Sequence, residues 1–348
     1  MDKISKFSKK LQNLILQKIL DNIPKNLKLE QKEINGTIIY KSPDVEAEKY
    51  NISRCLFFDR YNDVIIEFTK SLEDNFSLCN LSSFYHNMET LEIKDKVEDL
   101  ITISIKKLCK NIYGFYRIPE NKIQLLKDYK NTLKHELLHL STGKFIGNIQ
   151  FSGFYQYNEK INSKIGVYLN EGYTEHLNQK YFIKTEINTY KLAKNFAMAI
   201  ERIVGAKKMQ ELYFDSDLYG LIEELEKYCR KEAIFNLINK IDYYCEQYYM
   251  HGYNNNKIYE EILSMIANIY RTKLSIDLSE KKIDEEEYKK KKLLYCDDLE
   301  NGRINSDNIE VEEYQEYYLI IDKKSHESHF YMKNPLEYKT NDLKITKK

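Results

Sequence analysis

Two histidines four residues apart, His135 and His139, with Glu136 directly after the first, constrain this chain more than any other feature. Side chains at i and i+4 stand one above the other on a helix. The H-E-x-x-H spacing therefore puts two imidazoles on one face, where both can bind one metal ion. Glu136 is turned about 100° around the axis and reaches a water beside such an ion instead of the ion itself. The surroundings predict the helix that this needs. Ile123, Leu126, Tyr129, Leu133, Leu137 and Leu140 recur at helical spacing. Pro119-Glu120 offers a start, with a break possible over 128–131, and Gly143 offers a C′ stop.

The other elements read as an α+β, helix-rich chain. Ile4, Phe7, Leu11, Leu14, Ile15 and Ile19 make the stripe of an amphipathic first helix. Asn35-Gly36 between two short apolar-polar runs predicts a hairpin. Residues 54–69, rich in aromatic and β-branched side chains, read as two short strands around Tyr61-Asn62-Asp63. A helix is expected over 94–108, a strand over 148–157 and a polar turn over 158–164. Asn170 is a natural N-cap for the helix that follows. Beyond residue 185 the pattern is mostly helical, over 188–204, 218–230, 232–250 and 257–273. Residues 279–294 are so charged that they read as a solvated helix or a flexible stretch. Residues after 322 are poor in apolar groups and read as a polar tail.

A metal centre with catalytic capacity needs a third protein donor and one open position. A third histidine in H-E-x-x-H-x-x-G-x-x-H register is ruled out, because Thr142 holds the glycine position and Phe145 the histidine position. The informative stretch is Asn170-Glu171-Gly172-Tyr173-Thr174-Glu175, which puts two carboxylates one helical turn apart. It resembles the N-E-x-x-S/T-D/E pattern of thermolysin-like and related glutamate-ligand zinc peptidases, the gluzincins. The resemblance covers residues 130–180. It implies a zincin-like catalytic core with Zn²⁺ held by His135, His139 and Glu171, and with Glu175 hydrogen-bonded to a ligand histidine. It also implies Glu136 as general base in the hydrolysis of a peptide or protein substrate. A carboxylate on the free imidazole N–H fixes the tautomer and raises ligand basicity, so the two acids suit those two tasks on physical grounds as well. Exchanged roles for Glu171 and Glu175 stay open.

Tyr168, Tyr157 and His251, with Tyr155 and Tyr253 behind them, are candidates for a donor to the developing oxyanion, drawn from a chain with 30 tyrosines. His176 points about 100° away from Glu175 and reads as a surface or supporting residue. His326 and His329 fall in the tail, and His86 has no partner pattern. The expected organisation is a catalytic region over 1–183, a helical region over 184–321 that completes or caps the cleft, and the tail over 322–348. Two other functions stay open, an inactive zinc-binding regulatory protein and a hydrolase of non-peptide amides. The 54 basic and 54 acidic residues balance, which argues against a nucleic-acid partner. Six scattered cysteines without a C-x-x-C pair read as reduced thiols, and no stretch is apolar enough for a signal or a membrane span. A cytoplasmic location is the expectation.

Overall fold

Gly36 sits at φ +80°, and β1 (Gln31–Ile34) pairs antiparallel with β2 (Thr37–Tyr40) in the register expected around Asn35-Gly36. The computed structural model describes residues 29–34, 36–44, 60–95, 113–126, 129–183, 190–297, 309–313, 317–322 and 328–332. The helix expected over 4–19 lies outside them, as does nearly all of the one expected over 94–108.

From residue 62 the stretch expected to form strands is a helix, α1 (Asn62–Asn75). Its buried residues are Val64, Ile65, Phe68, Thr69 and Leu72. Their three-to-four spacing is helical, and it overrides the β-type composition that suggested strands. After α2 (Ser82–Met88) come β3 (Glu92–Lys94), β4 (Gly114–Arg117) and β5 (Lys122–Leu125). β5 lies between a parallel β3 and an antiparallel β4, so β4 is an edge strand among the described residues. Pro119-Glu120 therefore opens a β-turn, closed by the Asn121 N–H on the Ile118 carbonyl at 3.2 Å, and not a helix. Ile123 and Leu125 are buried as strand residues, and the helix begins only at Tyr129.

That helix, α3 (Tyr129–Thr142), packs against α2 and β4 and buries Leu133, Leu137, Leu138 and Leu140 completely. Gly143 follows it, but not as a left-handed cap. A Cβ there would sit 2.7 Å from the Tyr116 ring, so close approach is what requires glycine. The single strand expected over 148–157 is two. β6 (Lys144–Ile146), β7 (Ile149–Ser152), β8 (Tyr155–Asn158) and β9 (Ser163–Ile165) form an antiparallel meander. Lys144 is buried at its start. Its ammonium donates to Ser42 Oγ (2.9 Å), the Pro43 carbonyl (3.1 Å) and the Asp215 carbonyl (2.8 Å), while burial pushes its pKa down.

The meander leads into α4 (Val167–Leu177), which ends in a π-helical turn over Asn178–Phe182. Then come α5 (Lys191–Val204), α6 (Ala206–Phe214), α7 (Leu218–Glu226), α8 (Lys231–His251), α9 (Asn256–Ser279) and α10 (Glu285–Lys292). Four of these match the expected helices, and α6, with Met209, Leu212 and Tyr213 buried at helical spacing, is a further one. The charged stretch does become a helix, with no buried residue. Within the stretch expected as a polar tail, residues 328–332 form β12 (Ser328–Met332), paired with β11 (Tyr317–Asp322), which also pairs with β10 (Ile309–Glu313). The chain is thus helix-rich α+β, and one cluster of buried side chains runs from Ile34 to Cys296. Cys79, Cys229 and Cys245 are free thiols. Among the described residues no helix is long and apolar enough to cross a membrane.

α4 and α5 touch backbone to backbone. A Cβ on Gly172 would lie 2.2 Å from the Ala193 carbonyl oxygen. Gly172→Ala is expected to force the helices apart and cost about 3 kcal/mol, the upper range for overpacking. A thermal melt of the variant checks this, and an unchanged midpoint would show that the helices separate without penalty.

Candidate metal centre

α3 and α4 cross so that three side chains converge. His135 Nε2 and His139 Nε2 are 3.1 Å apart, and Glu171 Oε2 lies 3.3 Å from the first and 3.5 Å from the second. These three donors form the metal-capable group among the described residues. A tetrahedral ion with bonds of about 2.0–2.1 Å has donor-to-donor edges of about 3.3 Å. The observed triangle has that size. Two imidazoles and one carboxylate also suit a borderline first-row cation better than Ca²⁺ or Mg²⁺, which take oxygen ligands.

The ring orientations are held from outside the triangle. Glu175 is buried, and its Oε2 lies 3.1 Å from His135 Nδ1. Its other oxygen accepts from Gln179 Nε2 at 2.5 Å, and Gln179 Oε1 accepts from Lys194 Nζ at 2.7 Å. Asn170 does not cap α4. The N-cap is Gly166 at φ +76°, and Asn170 is inside the helix. Its amide lies 3.3 Å from His139 Nδ1 while its oxygen accepts from the Phe154 N–H at 3.2 Å. The Asn-Glu pair thus serves both histidines, through a role for the asparagine that a capping rule does not reveal.

Burial sets the electrostatics. It disfavours the His135 imidazolium, but the Glu171 and Glu175 hydrogen bonds and the Glu136 charge outweigh it, so the His135 pKa lies well above the ordinary histidine value. Burial likewise works against the Glu171 carboxylate. The adjacent His139 and His135 overcome it and hold Glu171 far below the usual carboxylate range. Glu136 is outside the triangle and 5 % exposed. Burial raises its pKa, and the Glu171 charge raises it further. The two histidines and the Tyr116 backbone N–H, which donates to it, act in the opposite direction. Gly114 on β4 leaves room beside it, since a Cβ there would lie 3.5 Å from Glu136 Oε1 and 2.5 Å from Thr132 Cγ2.

Of the tyrosines considered, Tyr168 in the first turn of α4 and Tyr155 on β8 both feel the Glu171 charge, although burial is the main cause of their raised pKa values. Tyr157 instead donates its hydroxyl to Asn162 at 3.1 Å. His251 ends α8, and Tyr253 lies just beyond it. Both are exposed. The tyrosine against the centre is Tyr190, whose ring stacks on His135 with centroids 6.0 Å apart. Burial, then the Glu171 and Glu136 charges, keep its phenol protonated. No spacing rule singles out Tyr190. His176 is buried on the far side of α4, 3.4 Å from Glu201 Oε1 and against the Tyr173 ring. His86 is half-buried on α2, His329 lies on β12, and His326 falls outside the described residues.

The chain matches no family model, no curated protein and no solved structure. What the centre can do follows from its donors. Three donors would leave a fourth tetrahedral position open on an ion held there, and Glu136, a carboxylate outside the donor group, directly follows His135 in the chain. Glu175→Ala should weaken metal binding roughly 10- to 100-fold by freeing the His135 ring. Chelator competition measures this, and wild-type affinity in the variant would show that Glu175 does not orient the ligand.

Proposed function

We propose that this chain is a zinc-dependent metallopeptidase of the gluzincin type, cleaving peptide bonds with Glu136 as general base. One observation carries the reading: a buried carboxylate, Glu136, adjoins a His135–His139–Glu171 triangle of tetrahedral size without belonging to it. A site that only holds a metal for structure is closed by four ligands and has no use for such a base.

A zinc ion bound there supplies a Lewis acid and acidifies water to a pKa of about 7. The protein's own residues supply the rest. Glu136 accepts the proton of the attacking water as its oxygen joins the scissile carbonyl carbon. It then delivers that proton to the amide nitrogen as the C–N bond breaks. Its raised pKa suits the holding of a proton between the two steps. Glu175 keeps the His135 ring in place through Nδ1. Tyr190 and Tyr168, both protonated phenols near the acidic side chains, are the hydrogen-bond donors best suited to the carbonyl oxygen as charge develops on it.

The edge strand favours a peptide over another amide. β4 borders Glu136 and is an edge strand among the described residues, and a sheet edge is a natural partner for an extended peptide. The deciding experiment loads the full chain with Zn²⁺ and presents a broad peptide library, with and without a chelator. Cleavage that the chelator stops and added Zn²⁺ restores is the expected result. A loaded chain that cleaves nothing would favour an inactive zinc-binding protein. Activity confined to small non-peptide amides would reassign the substrate.

A further inference from the structure

α4 carries Glu171, yet it has no side-chain cap of its own. Its N-cap is Gly166, where a Cβ would lie 2.0 Å from the Phe154 carbonyl oxygen. No side chain with a Cβ fits there, so the first-turn N–H groups need an acceptor from elsewhere. They find one on α8. Asp242 Oδ2 accepts from the Gly166 N–H at 2.7 Å and the Val167 N–H at 3.2 Å, and Oδ1 accepts from the Tyr168 N–H at 2.8 Å. The carboxylate also lies at the positive end of the α4 dipole. Tyr168 is three residues from Glu171, or about 4.5 Å along the axis, so a shift of the first turn moves the ligand with it.

The same face of α8 holds a second helix start. Tyr249 is seven residues from Asp242, two turns on and nearly in line. Its hydroxyl accepts from the Leu192 N–H at 3.0 Å and the Ala193 N–H at 3.3 Å, in the first turn of α5. Its ring also meets those of Tyr168, at 5.7 Å, and Tyr190, at 5.6 Å. Tyr190 is the N-cap residue of α5 and stacks on His135.

We infer that Asp242 is a positioning residue for the metal centre: by capping the first turn of α4 from α8, it sets the place of Glu171 against His135 and His139, with Tyr249 holding α5 in the same way. This rests on the reading of the triangle as a metal site. It gives the helices after residue 185 a part in the centre although, among the described residues, the donor group is His135, His139 and Glu171.

The test is a titration of the full chain with Co²⁺, whose visible absorption reports coordination geometry, followed by Zn²⁺ competition. Asp242→Ala should bind both ions roughly 10- to 100-fold more weakly, as for loss of a partner that orients a ligand, and should show an altered Co²⁺ spectrum with its far-ultraviolet helical signal retained. Asp242→Asn keeps one acceptor oxygen but sets an amide NH2 against the N–H group that the other oxygen now serves, so it should recover only part of that loss. Ile238→Val, a buried change on the same helix, controls for lowered stability alone and should leave affinity unchanged. Wild-type affinity in Asp242→Ala overturns the inference, as does an equal loss in Ile238→Val. If Asp242→Ala does not fold, Asp242→Ser decides. Its one hydroxyl cannot serve three N–H groups, and wild-type affinity there also overturns the inference. A wild-type chain that binds neither ion would instead refute the metal site itself, and this inference with it.

Discussion

Glu136→Gln is expected to abolish peptide hydrolysis while leaving metal affinity within about threefold of wild type. The loss should be at least roughly a thousandfold, within the range for removal of a general base. Glutamine has the same shape, and its carbonyl oxygen can still accept from the Tyr116 N–H that now serves the carboxylate. It cannot take a proton from water at neutral pH. Because Glu136 lies outside the ligand triangle, the three donors stay where they are. The variant also removes a charge whose burial raises its pKa, so its thermal midpoint should not fall. Rates on any cleaved library peptide, measured beside Zn²⁺ affinity, check both halves. Residual activity near wild type would sink the proposed mechanism.

Glu171→Ala should have the complementary signature, with metal lost first and activity lost as a consequence. Its oxygen is the third vertex of the triangle, 3.3 and 3.5 Å from the two imidazole nitrogens. Removing it leaves two neutral rings to hold a dication. Affinity should fall by at least about a thousandfold, beyond the roughly 10- to 100-fold expected when an orienting partner such as Glu175 is lost. Chelator competition on both variants orders the two acids. A larger loss for Glu175→Ala than for Glu171→Ala would mean that their roles are exchanged.

How much of this was legible beforehand depends on the range of each contact. His135, His139, Glu171 and Glu175 were readable because each pair lies one turn apart on its own helix, and helical spacing survives in the sequence. The hairpin at Asn35-Gly36 and the helices α5, α7, α8 and α9 were readable for the same local reason. The β-branched and aromatic composition of α1 points to strands, and only the spacing of Val64, Ile65, Phe68 and Leu72 points to the helix. Asn170 has the character of an N-cap, but inside α4 it faces His139 and the Phe154 N–H instead. Tyr190 and Asp242 could not be read at all. The Asp242 bonds to α4 span 74 to 76 residues, and no periodic pattern records a contact of that range.

The buried ammonium of Lys144 bears on how the protein is made. Its partner at Asp215 comes 71 residues later, and at about 5–20 residues per second a ribosome takes roughly 4–14 s to supply it. Through that interval the amine has Ser42 and Pro43 as acceptors but lacks the third, so the strand directly after the histidine helix is without one of its anchors. A nascent chain halted short of residue 215 would carry both histidines, and even Glu171, without the frame that brings them together.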